Sequence, residues 1–263
     1  MNPGSSDGNK GITYPSAFRG REGKLNVQII RILAQKGPSI IYAIAQQLKA
    51  ESETKIHYPT VNRRVHQLLR AGYIEKAGTK LTKAGANEYL YALALRGEFA
   101  ALAGMPDWKG GYLSEPSPSE IRQLLSTASA RKNSPFALLN QISQQDQDGA
   151  DLVQNKLAPE LVRGVRGGFI DLDATEEDTI STSFAKLVAR TIIDLSGRNG
   201  SSPKPSAESK PLRMLMDALD KPTLLVENDT TEGPASPDHQ DCASQHWAKE
   251  LRVYLKLYSV KFE

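Results

Sequence analysis

Cysteine is almost absent from this chain. Cys242 is the only one among 263 residues, so no intrachain disulfide can form, and a thiolate-rich zinc or iron–sulfur site has no ligands to draw on. Long apolar runs are missing too. Nothing approaches the roughly 18–20 consecutive residues that cross a bilayer, and the opening MNPGSSDGNKGITYPS lacks the apolar stretch of a signal peptide. These absences lead to the expectation of a soluble, cytoplasmic protein without membrane attachment.

Chemical signatures are equally sparse. GVRGGF (164–169) is glycine-rich but lacks the spacing and the preceding strand of a phosphate cradle, and no Walker-type GK[ST] occurs. DLDATEEDTIST (171–182) starts like a calcium loop, yet Glu176 stands where the loop needs glycine and Thr182 where it needs a bidentate Glu. HQDCASQHW brings His239, Asp241, Cys242 and His246 together, but without a second cysteine it falls short of a four-ligand N/S site, so neither metal nor cofactor is expected. Ser, His and Asp residues form no nucleophile motif, and the chain reads as a non-enzyme.

What is present is an uneven charge. Between Phe18 and Gly85 thirteen Lys and Arg face four Glu, a net +9, whereas the rest of the chain carries −6. A basic block beside an acidic remainder points to a polyanionic partner for the amino-terminal part.

Apolar periodicity then orders the chain into a mainly α protein. Residues 1–22 have no periodicity and read as a flexible arm. Leu25, Ile29, Ile32 and Leu33 keep helical spacing until Gly37 and Pro38 break it. Ser39 can cap a second helix with Ile40, Ile44 and Leu48 on one face. Pro59 suits the first turn of a third helix that Gly72 ends. On that helix Val61, Val65 and Leu68 take one side and Thr60, Arg63, Gln67 and Arg70 the other. YIEK and KLT around AGT read as two very short strands of a hairpin. Thr82 is placed as the cap of a long apolar helix, 83–103.

Past a boundary near residue 110, a helical region spans 111–197. It includes a capping box at Ser117 and Glu120, a start at Thr175 and Asp178, and a strong helix carrying Ile180, Phe184, Val188 and Ile192. A flexible linker, 198–210, leads to a carboxyl-terminal helical segment, 211–263. This last segment holds a disordered loop near 228–241 and a final helix with Trp247, Leu251, Tyr254, Leu255 and Tyr258.

Three helices followed by a hairpin, carried by GPSIIYAIAQQL, PTVNRRVHQLLRAGYI and LTKAG, resemble the winged helix-turn-helix domains of PadR-like and MarR-like transcription regulators over residues 25–104. The resemblance implies a sequence-reading DNA-binding regulator whose third helix, 59–71, enters the major groove of double-stranded DNA. Arg63 then stands as the primary base contact, since a guanidinium can bond guanine bidentately. Thr60 and Gln67 flank it, while Asn62, Arg64 and Arg70 reach bases or phosphates. Tyr58 at the helix start, and Lys76, Lys80 and Thr79 on the wing, would hold the backbone. Such regulators pair, and the apolar helix 83–103 either offers a homodimer surface or is covered by the carboxyl-terminal helices of the same chain. Two other readings share these residues: a protein-interaction adaptor built on the same domain, and a mobile-element or replication protein that binds DNA with it.

Overall fold

The computed structural model describes residues 16–20, 23–51, 56–81, 85–104, 117–128, 134–174, 176–198, 210–219 and 246–260. Mainly helical, it carries one two-stranded hairpin after the first three helices. These are α1 (Gly23–Lys36), α2 (Ile41–Glu51) and α3 (Tyr58–Arg70). α1 ends where the periodicity stops. Gly37 takes a φ of 74°, which a side-chain-bearing residue adopts at a cost, and its amide closes the last turn on the Leu33 carbonyl. α3 starts with Pro59 in its first turn and ends the same way, Gly72 at φ 72° letting Tyr73 N–H donate to the Leu68 carbonyl. Val61, Val65 and Leu68 are buried as expected, and Ile44 and Leu48 of α2 join them.

The segment after Gly72 departs from expectation. Strand β1 (Ile74–Leu81) runs straight through AGT and pairs antiparallel with β2 (Asn87–Leu93), so the hairpin is long, not a pair of two- or three-residue pieces. The register shifts between Lys76 and Gly78, where Gly78 adopts φ 151°. Helix 83–103 therefore does not exist as one element. Its first part is β2, followed by a short α4 (Leu95–Leu102); Thr82 lies outside the described residues. Burial along β2 alternates at its second half, Tyr91 and Leu93 buried and Leu90 and Ala92 half-buried, as on a strand with one covered face. Nor is Ser39 a helix cap. It bridges to Tyr91 through two backbone hydrogen bonds of 2.9 Å, adding a one-residue third strand to the hairpin.

The carboxyl half consists of α5 (Pro118–Ala128), α6 (Pro135–Ser143), α7 (Gln147–Asp151) running through a π-helical turn (Leu152–Leu157) into α8 (Ala158–Arg166), then α9 (Glu177–Arg198), α10 (Lys210–Leu219) and α11 (His246–Val260). The capping box is formed: Ser117 N–H and Oγ both donate to Glu120 Oε2, and Glu120 N–H donates back to Ser117 Oγ. Thr175, the linker residues 199–209 and the loop 228–241 lie outside the described residues.

One apolar core runs through both halves. Phe99 of α4 meets Phe136 of α6 edge-on at 5.1 Å between ring centroids and Phe184 of α9 at 5.8 Å, and Phe184 in turn meets Trp247 of α11 at 6.1 Å. The α4 part of that apolar segment is thus covered within the chain, whereas Tyr89 of β2 stays exposed. α4 packs against α5, α8 and α9, and Leu95, Phe99 and Leu102 are buried. The boundary near residue 110 lies outside the described residues, and one core cluster spans the elements on either side of it.

The arm 1–22 needs one correction. Residues 16–18 form a short helical turn docked on the body, with Phe18 buried edge-to-face against Tyr73 at 4.8 Å. Ser16 N–H donates to the Asp173 carboxylate at 3.0 Å, and Arg19 lies 3.8 Å from the same group. Burial, helped by Asp173, raises the pKa of Tyr73, whose hydroxyl donates to the Leu172 carbonyl. Arg96 completes the tie by donating to the Ala71 carbonyl at the end of α3 and to the Ala174 carbonyl.

Candidate nucleic-acid interface

α3 packs chiefly on α1, α2 and β1, and its core stripe fixes what it presents to solvent. Arg63, Gln67 and Arg70 are exposed, as is Tyr58 at the first turn, and Thr60 and Asn62 are half-buried beside them. None of these six is enclosed by the carboxyl half. Arg70 Nε donates to the His66 carbonyl at 3.3 Å, which holds that guanidinium back along its own helix.

Arg64 is the exception among the predicted contacts. Only 4% exposed, it donates through Nη1 to Gln67 Oε1 at 2.5 Å, and burial lowers its pKa. The reason is angular. Three residues after Val61 and four before Leu68, Arg64 lies on the same side as both, inside the apolar stripe instead of at its margin. It cannot reach a groove from there, and its hydrogen bond makes it a positioning partner for exposed Gln67.

The hairpin stands beside α3. Lys76, Thr79 and Lys80 are all exposed on β1. Lys76 Nζ sits 3.9 Å above the Tyr89 ring of β2, a cation–π contact that directs the ammonium over the outer surface of the hairpin. Lys80 stands opposite Glu88 in the ladder. Sequence reasoning missed the aromatic component: Tyr89 is half exposed, and His66 of α3 meets Tyr91 edge-on at 6.2 Å. Burial raises the pKa of Tyr91, with lesser contributions from the Tyr89 and Tyr58 phenols. The signal in the sequence is the alternation Tyr89–Leu90–Tyr91.

α3 exposes guanidinium, amide and phenol groups, and the adjacent hairpin exposes ammonium and phenol groups. Such a set can donate hydrogen bonds to phosphate oxygens and to acceptor atoms on base edges. Of the residues flagged for a metal, His239, Asp241 and Cys242 lie outside the described residues. Among the described residues no helix is long and apolar enough to cross a membrane. Compared with known protein families, curated proteins and solved structures, the chain matches none.

Proposed function

We propose that the protein is a winged-helix regulator of transcription that binds double-stranded DNA, inserting α3 into the major groove with the hairpin β1–β2 set against the backbone. One observation carries the reading. Arg63 and Gln67, the side chains suited to guanine and adenine edges, stay exposed on a helix whose opposite face is locked into the core. The basic charge of the amino-terminal block supplies nonspecific attraction. The Ser39–Tyr91 bridge and the antiparallel hairpin give support too, since they extend the helical unit with the small sheet such domains carry. Base contacts fall to Arg63 and Gln67, with Thr60 and Asn62 at the flanks. Tyr58, Arg70, Lys76 and Lys80 take phosphates.

Selection from a random-sequence duplex pool tests this. The wild-type protein is expected to enrich a defined motif, and Arg63→Ala and Gln67→Ala to relax that motif at one or two positions. Enrichment of the same motif by both variants, or of none by the wild type, contradicts the assignment. The adaptor reading would show instead as retention of one acidic protein partner with no duplex enriched.

A further inference from the structure

α3 leaves the core through a pivot. Gly72 at φ 72° turns the chain from Ala71, the residue that caps the helix, into Tyr73 and β1. The last carbonyls of a helix have no partner within it, and here the exit is met by the start of α4. Ala94 N–H donates to the Tyr73 carbonyl at 3.0 Å, and a Cβ at Gly97 would lie 2.0 Å from that oxygen. Arg96, half-buried beside them, donates through Nη1 to the Ala71 carbonyl at 2.9 Å and through Nη2 to the Ala174 carbonyl at 2.5 Å. Its guanidinium carbon stands 5.7 Å from the centroid of the Tyr73 ring, whose hydroxyl donates to the Leu172 carbonyl at 3.4 Å. The connection between α8 and α9 thus reaches the exit of α3 twice, through Leu172 and through Ala174.

We infer that Arg96 is a positioning residue for α3: its guanidinium fastens the carboxyl end of that helix to the 172–174 stretch of the carboxyl half, and so fixes the angle at which Arg63 and Gln67 meet a duplex. That role builds on α3 as the groove-entering helix proposed above. Packing of Val61, Val65 and Leu68 holds the middle of α3, but apolar burial is non-directional, so the angle about that stripe needs a directional contact. Leverage makes the angle matter. Arg63 lies eight residues before Ala71, about 12 Å along the axis, and a rotation of about 5° at the exit moves it by about 1 Å, twice the roughly 0.5 Å within which a binding group must be held. A planar fork can bond carbonyls on two separate segments at once, whereas a lysine ammonium is a single point charge. The cation also complements the negative end of the α3 dipole.

The full chain is compared with Arg96→Ala and with Arg96→Lys, which keeps the charge but not the fork. Without DNA, residual dipolar couplings of the α3 amides are referred to those of α9. With DNA, affinities are measured for the duplex that the wild type enriches and for a scrambled duplex of the same length. Both variants are expected to rotate α3 against α9 and to bind the enriched duplex about ten-fold more weakly, roughly the worth of one bidentate base contact. The scrambled duplex is expected to bind as it does to the wild type, with the same salt slope, whereas a merely structural loss lowers both affinities together. Should Arg96→Ala fail to fold, Arg96→Lys carries the comparison. Couplings unchanged in Arg96→Lys, a fall shared equally by both duplexes, or wild-type selectivity in Arg96→Lys overturns the inference. A wild type that selects no duplex while the couplings move strikes the groove-reading role of α3 and supports the fastening by Arg96.

Discussion

Phe99→Ala is the perturbation that most directly probes the shared core. Phe99 is fully buried, and its ring touches Phe136 at 5.1 Å and Phe184 at 5.8 Å, so it joins the α4 region to α6 and α9. Deleting a buried phenyl ring costs about 3–5 kcal/mol through lost transfer energy and the cavity left behind. Loss of two aromatic neighbours puts this site toward the upper part of that range, about 4 kcal/mol, because such pairs contribute beyond their area. For a chain of this size about 1 kcal/mol corresponds to roughly 2–4 °C in Tm, so a fall of about 8–16 °C is expected. Native-state amide hydrogen exchange distinguishes a shared core from two adjacent ones. The slowest amides of α1 and α3 are expected to lose the same free energy of protection as those of α9, since both halves unfold as one cooperative unit. Loss confined to α9 and α11, with α3 unchanged, would refute the continuous core and restore a domain boundary near residue 110.

Further outcomes follow from single contacts. A Cβ at Gly97 would overlap the Tyr73 carbonyl oxygen, a backbone atom that cannot swing aside, so Gly97→Ala is expected to lower the unfolding free energy from denaturant titration by an amount typical of overpacking, about 1–3 kcal/mol. The depressed pKa of Glu120 comes first from the Ser117 backbone hydrogen bond. Its stabilising contribution is therefore full above the unfolded carboxylate value and fades as pH falls through the lower folded value. Glu120→Gln should flatten the acid limb of a stability-versus-pH curve, and an unchanged limb contradicts the capping role. Arg64→Ala leaves the buried face of α3 with a gap and Gln67 without its donor, so a fall in Tm larger than that of the exposed-position change Arg63→Ala is expected in a thermal melt. Tyr89→Ala removes the ring beneath Lys76 and is expected to weaken duplex binding a few-fold without loss of fold.

The sequence carried the first three helices well because each declares itself locally. Val61, Val65 and Leu68 share a face by spacing alone, Pro59 and Gly72 mark the ends, and Ser117 with Glu120 forms a cap within four residues. The wing was legible only in outline. ANEYLYALAL is rich in good helix formers, and its strand character rests on the alternating burial from Leu90 to Leu93 and on pairing with β1, which is a tertiary effect. Ser39 looked like a cap for the same reason, because its partner Tyr91 lies far along the chain. Distance in sequence also hid the docking of Ser16 on Asp173 and the closure of α4 by Phe136 and Phe184. Of the candidate interface, the exposed placement of Arg63, Gln67 and Arg70 followed from periodicity. Arg64 was misplaced because its charge suggested solvent while its angle pointed into the core. Glu98 went unremarked inside an apolar run, although its position one residue before Phe99 on the covered helix α4 marks it as a carboxylate held away from water.

The exposed face of α3 as a DNA-reading surface is tested most directly by anisotropy titration of an enriched duplex over a range of salt concentrations, with wild type, Arg63→Ala and Lys76→Ala. The account predicts tight binding at low salt that weakens as salt rises. It also predicts a loss of about 1–3 kcal/mol for Arg63→Ala at every salt concentration, and for Lys76→Ala a log–log slope shallower by about 0.9. Affinity indifferent to salt, or equal affinities in all three proteins, would contradict it.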